Sequence, residues 1–84
     1  MPEEKIGKVV KFFAKPMVAA VEVTAGAINV GDRLHFVGFT TDFETQVASM
    51  QEEHQSVTQA TVGQMVGIKV PDRVREGDEV LVVT

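Results

Sequence analysis

The chain has no cysteine, no tryptophan and no tyrosine. Without cysteine there are no disulfides, no thiolate nucleophile and no cysteine-bound zinc. No apolar run approaches the roughly 20 residues that a membrane-spanning helix needs. No stretch holds a 3.6-residue apolar period over three turns, so long helices are not expected. Phosphate-cradling loops are missing too: there is neither G-x-x-x-x-G-K-[ST] nor G-x-G-x-x-G, which argues against a nucleotide site. The N-terminal Met1-Pro2-Glu3-Glu4-Lys5 carries both signs of charge and lacks the apolar core of a signal peptide. The expectation is a cytoplasmic protein that does not enter a membrane, with residues 1–5 as a flexible lead-in.

What is present is a repeated turn-then-strand pattern. Val74-Arg75-Glu76-Gly77-Asp78-Glu79-Val80-Leu81-Val82-Val83 places a glycine and an aspartate before a β-branched run. Gly77 suits a positive φ, and Asp78 is expected to close the turn by bonding the backbone just after itself. Ile28-Asn29-Val30-Gly31-Asp32-Arg33-Leu34-His35-Phe36 repeats the order, as does Ala60-Thr61-Val62-Gly63-Gln64-Met65-Val66-Gly67-Ile68.

The 84 residues make one domain, since so short a chain cannot bury a second core. About seven strands are predicted: residues 6–13, 18–24, 34–39, 43–51, 56–60, 64–70 and 79–84. The first two pair as a hairpin, with Ala19, Val21 and Val23 inward. In the strand over 43–51 the apolar parity changes between Val47 and Met50, so a bulge or a change of facing is expected there. The fold class expected is all-β: a small closed antiparallel barrel, which also removes aggregation-prone edges.

Chemistry is sparse. His54 beside Glu52 and Glu53 is not a metal trio, because neighbours on an extended chain point opposite ways. His35 is expected on an outer face. Ser49 and Ser56 lack a histidine and carboxylate at any supporting spacing. The chain is expected not to be an enzyme, and no cofactor or metal is expected.

The net charge is −4. Residues 1–42 carry five basic and five acidic side chains, and residues 43–84 carry three and seven. A polyanion binder usually shows the opposite sign. One basic face is expected: Lys5, Lys8, Lys11 and Lys15 cluster along the first strand, where an outward Phe13 would offer a stacking ring. A solvated strand edge blunted by lysines accounts for the same residues.

The stretches Ile6-Gly7-Lys8-Val9-Val10, Val18 to Val23, Gly26 to Asp32, Gly63-Gln64-Met65-Val66-Gly67-Ile68 and Arg75-Glu76-Gly77-Asp78 resemble the second domain of translational GTPases such as elongation factor Tu. The likeness runs from about Ile6 to Val83. Small stand-alone proteins made of this barrel alone are similar, and a similar barrel ends some collagenase-like peptidase-family proteins linked to RNA modification. The resemblance implies a closed barrel without a GTPase domain. It implies a binding module that contacts RNA, the ribosome, tRNA or a translation or RNA-modification protein. By this likeness the aminoacyl pocket falls near Ser49-Met50-Gln51-Glu52 and Gln64-Met65, where this chain carries no basic group. The alternative is a protein–protein adaptor without nucleic acid, in which Met50, Gln51, Gln64 and Met65 form an adaptable contact.

Overall fold

Glycines with φ of 98°, 92° and 90° stand at Gly31, Gly63 and Gly77, in three turns of one design. In each, a residue two before the glycine donates its N–H to the side chain that follows the glycine. Asn29 N donates to Asp32 Oδ2 at 2.9 Å, Thr61 N to Gln64 Oε1 at 2.7 Å, and Arg75 N to Asp78 Oδ2 at 2.8 Å. The N–H of that last residue returns to the carbonyl of the first, at 3.0, 3.0 and 3.1 Å. Glycine in the third position is what a type II turn demands, because φ there is near +80°. A Cβ at these glycines would meet nothing within 4 Å, so the requirement is backbone angle and not space. The closing bond of Asp78 runs backward to Arg75, not forward as the sequence predicts.

The computed structural model describes residues 3–83. Those residues form ten strands and no helix: β1 (Glu3–Phe13), β2 (Val18–Val23), β3 (Ala27–Asn29), β4 (Arg33–Val37), β5 (Asp42–Gln46), β6 (Met50–Glu52), β7 (Gln55–Val57), β8 (Gln59–Thr61), β9 (Met65–Lys69) and β10 (Glu79–Val83). Eight pair in the order β5-β4-β10-β1-β2-β9-β6-β7, and β3 pairs with β8. All pairs are antiparallel. No described helix is long and apolar enough to cross a membrane.

The all-β class holds, but two expectations are corrected. The end strands β5 and β7 are not ladder neighbours, so the sheet is not closed into a barrel. The described residues form ten strands rather than seven. The stretch expected as one strand over 43–51 divides at Val47, whose N–H goes to Asp32 O and whose carbonyl accepts from Gly31 N. With those groups bound to a turn, β5 ends and the chain restarts as β6 against β7 and β9. This is the physical source of the parity change. The stretch over 56–60 divides into β7 and β8, and β3 is an additional strand. Residues 72–75 are irregular, with a bend at Asp72 and no helical segment.

Of the lead-in expected over residues 1–5, Glu3, Glu4 and Lys5 lie in β1 opposite Val83, Val82 and Leu81. Met1, Pro2 and Thr84 are outside the described residues.

One core joins both sheets. Ile6, Val9, Leu34, Phe36, Ile68 and Val80 come from the large sheet, and Ile28 and Ala60 from the β3–β8 pair. Each fully buried large side chain contributes about 1.5–3 kcal/mol of transfer free energy. Phe36 stacks on Phe43 with ring centroids 5.3 Å apart, which fixes β5 over β4. Ala19, Val21 and Val23 are buried as the alternation of β2 predicts. β1 carries register shifts after Lys5 and after Val9, which allow it to pair with both β10 and β2.

Candidate functional site

Alternation along β2 and β9 sends Ala20 and Gly67 to the outer face, directly opposite one another. Lys11 flanks Ala20 on β1, and Gln51 flanks Gly67 on β6. Two adjoining positions with little or no side chain leave a low floor. Walls rise from Phe13, Pro16 and Val18 on one side and from Met65, Glu53 and His54 elsewhere on the rim. The result is a mainly apolar groove of about 450 Å³. Phe13 is 43% exposed and Met65 49% exposed, both large apolar side chains held in water.

The β6–β7 turn shapes one end of this groove. Glu53 and His54 have φ of 50° and 66°, the left-handed pair that a two-residue type I′ hairpin turn needs. Neither is glycine or asparagine, so this turn holds backbone strain. The pairing of Glu52 with Gln55 closes it.

The residues singled out from the sequence fall in different places. Phe13, Gln51 and Met65 line the groove. Lys11 places its Nζ 5.2 Å from the Phe13 ring centroid, a cation–π contact that keeps the ring upright. Lys8 is exposed and pairs with Glu22 at 3.8 Å. Lys15 is exposed in the β1–β2 turn. Two of these residues are engaged within the chain itself. Met50 is 1% exposed and packs in the core opposite Val57 and Ile68, so it cannot present to a partner. Gln64 closes its own turn and donates to both Glu52 carboxylate oxygens, at 3.2 and 3.1 Å, so its amide is already occupied.

A second cluster went unread in the sequence. His35 stands on the outer face of β4 directly opposite Glu44 of β5. Its Nδ1 lies 2.9 Å from both Glu3 carboxylate oxygens, and its Nε2 lies 2.5 Å from Asp42 Oδ1. Ring nitrogens that both face carboxylates act as two donors, the arrangement of an imidazolium. The Asp42 hydrogen bond, and after it the Glu3 hydrogen bond, hold the His35 imidazole above its ordinary range. Glu44 also reaches Arg33 at 3.5 Å. Ligand atoms of Glu3, His35 and Glu44 all lie within 4.8 Å of one another. The signal available in sequence was the alternation that puts Asp42 and Glu44 on one face of β5. Glu3 could not be placed, because its strand was expected to begin at Ile6.

Comparison with known proteins now places the chain. The family model described as elongation factor Tu domain 4 matches residues 3–82, and the chain belongs to that family. An uncharacterized protease of Methanocaldococcus jannaschii is 42% identical over 77 residues, which is 90% of this chain and 19% of that protein. A collagenase of Porphyromonas gingivalis is 36% identical over 75 residues, 88% of this chain and 21% of that protein. The chain thus spans about a fifth of the length of the curated relatives it matches. In structure it is similar to the C-terminal domain of a Geobacillus thermoleovorans protein assigned to the U32 peptidases. That likeness has a TM-score of 0.88 at 19% identity, covering 96% of this chain and 93% of that one. A selenomethionine variant of the same domain gives a TM-score of 0.86 at 20% identity, covering 92% of this chain and 96% of that one. The likeness in structure shows the fold.

These relatives correct the functional expectation. The likeness to elongation factor Tu stands at the level of a domain family. The relatives are a protease and a collagenase, and the similar structures belong to a peptidase. A role in protein synthesis, through RNA or ribosome contact, is overturned by them. The basic residues lose that assignment, and the strand-edge reading is corrected as well: β1 is an interior strand paired with both β10 and β2, so Lys8 and Lys11 lie on its solvated face and Lys15 in the turn that follows.

Proposed function

We propose that this chain is a protease-associated accessory domain, non-catalytic in itself, which docks a polypeptide segment of a peptidase portion in the groove between Phe13 and Met65. The observation that carries the reading is the groove. It is the one place among the described residues where two large exposed apolar side chains flank a floor of Ala20 and Gly67. Methionine suits such a contact because its side chain adapts to irregular surfaces. The occupant follows from the relatives, which carry about four-fifths of their length beyond the segment matched here. The fold supports the accessory role: the groove holds no nucleophile with a base beside it, and His54 stands in its turn with only Glu53 for an acidic neighbour in the lining.

The test uses the Methanocaldococcus jannaschii relative with its matching segment removed. Mixed with the intact chain, it is expected to form a one-to-one complex by calorimetry, with a dissociation constant of about 1–100 µM. Met65→Asp with Ala20→Glu is expected to weaken it at least about ten-fold, with an unchanged circular dichroism spectrum. Absence of a complex at about 1 mM, or equal binding by the folded double variant, overturns the proposal.

A further inference from the structure

We propose that Glu3, His35 and Glu44 form a binding site for one divalent transition-metal cation of the zinc class, on a face of the sheet that shares no residue with the groove. The three donors come from β1, β4 and β5, and their ligand atoms already lie within 4.8 Å of one another. A cation about 2.0–2.2 Å from each of one nitrogen and two oxygens needs only side-chain adjustment from there. Three strands of one sheet hold the donors, so the site rests on rigid backbone: β4 pairs with both β5 and β10, and β10 pairs with β1.

Charge argues in the same direction. Glu3, Asp42 and Glu44 crowd one imidazole, and Arg33 is the only other cation in bonding contact with them among the described residues. A divalent ion neutralises the two ligating carboxylates. Asp42 has a separate part. It accepts from Nε2, the nitrogen not facing Glu3, and so turns the ring to direct Nδ1 toward Glu3. A carboxylate on the far nitrogen is the usual outer partner of a metal-ligating histidine. On binding, the cation replaces the Nδ1 proton, which leaves to solvent, and Glu3 shifts its contact from that proton to the metal. The 3.5 Å contact from Glu44 to Arg33 is long and readily surrendered. An imidazole in the set favours zinc-class ions over magnesium or calcium, which prefer oxygen alone.

Zinc chloride is titrated into untagged protein near neutral pH in a buffer that does not chelate. One equivalent is expected to bind with a dissociation constant of about 1–100 µM. His35→Ala is expected to lose at least about thirty-fold in affinity, and Glu3→Gln or Glu44→Gln at least about ten-fold each. Asp42→Asn weakens binding by about ten-fold through ring orientation. Nitrogen-15 spectra of the imidazole locate the ion, with Nδ1 shifted and Nε2 still protonated. No saturable binding below about 1 mM overturns the site, as does equal affinity in His35→Ala or a metal found on Nε2. Met65→Asp leaves zinc binding unchanged, so failure of the groove and failure of the metal site are separable.

Discussion

The carboxylate of Asp78 occupies the room that a Cβ on Gly38 would need. Asp78 is 5% exposed, and its Oδ2 accepts from Arg75 N at 2.8 Å. One buried side chain therefore closes the turn before β10 and packs against the turn between β4 and β5. Since β10 pairs with β4, this contact sits at the end of a ladder that begins at Glu79 opposite Val37. Gly38→Ala is expected to destabilise by about 1–3 kcal/mol through overpacking. Asp78→Ala is expected to cost about 1–3 kcal/mol by orphaning the Arg75 N–H. The double variant should cost less than their sum, because removing the carboxylate makes room for the methyl. Urea unfolding of the four proteins measures this, and strict additivity refutes the contact.

The three turn glycines make a second prediction. Gly77→Val is expected to destabilise by about 1–3 kcal/mol, because a β-branched residue is strained at a φ of 90°. Gly31→Ala and Gly63→Ala should each cost about 1 kcal/mol or more for the same reason. No Cβ clash contributes at any of the three. Replacement of Gly77 by D-alanine through chemical synthesis is therefore expected to be tolerated. If D- and L-alanine melt alike, backbone angle is not the cause.

A strained turn gives a prediction of opposite sign. Glu53 and His54 occupy left-handed angles without glycine or asparagine. Glu53→Asn with His54→Gly supplies the residues that a type I′ turn favours. Stability is expected to rise by about 0.5–1 kcal/mol. A thermal melt that falls instead would show that side-chain contacts of Glu53 or His54 outweigh the backbone relief.

Much of the fold was legible because its signals are local. Gly31, Gly63 and Gly77 marked three turns whose strands follow as read, and the alternation in β2 named its buried face correctly. What the sequence concealed was set by distant partners. Val47 looks like any strand residue until Asp32 and Gly31 take its backbone groups. The floor of the groove is legible only once Ala20 and Gly67 are known to be opposite, a matter of register between residues 47 apart in sequence. Likewise Glu3 and His35 meet 32 residues apart, and nothing near either one announces the other. Resemblance to a domain family gave the class of fold but not the function, since a fold hosts many functions.

The two methionines proposed from sequence as one surface divide sharply in the structure, and their variants carry the last prediction. Met50 is buried opposite Ile68 and Val57, whereas Met65 stands 49% exposed opposite Glu22. Met50→Ala leaves a cavity in a packed core and is expected to cost about 2–5 kcal/mol. Met65→Ala removes exposed apolar surface and should change stability by no more than about 0.5 kcal/mol. Partner capture should follow the reverse order. Met65→Ala weakens docking of the peptidase segment, while Met50→Ala, at a temperature where it stays folded, leaves it intact. Denaturant midpoints and binding isotherms on the same two variants decide this. Equal losses of stability would mean that Met65 is packed in solution, and the groove would then be filled by the chain itself.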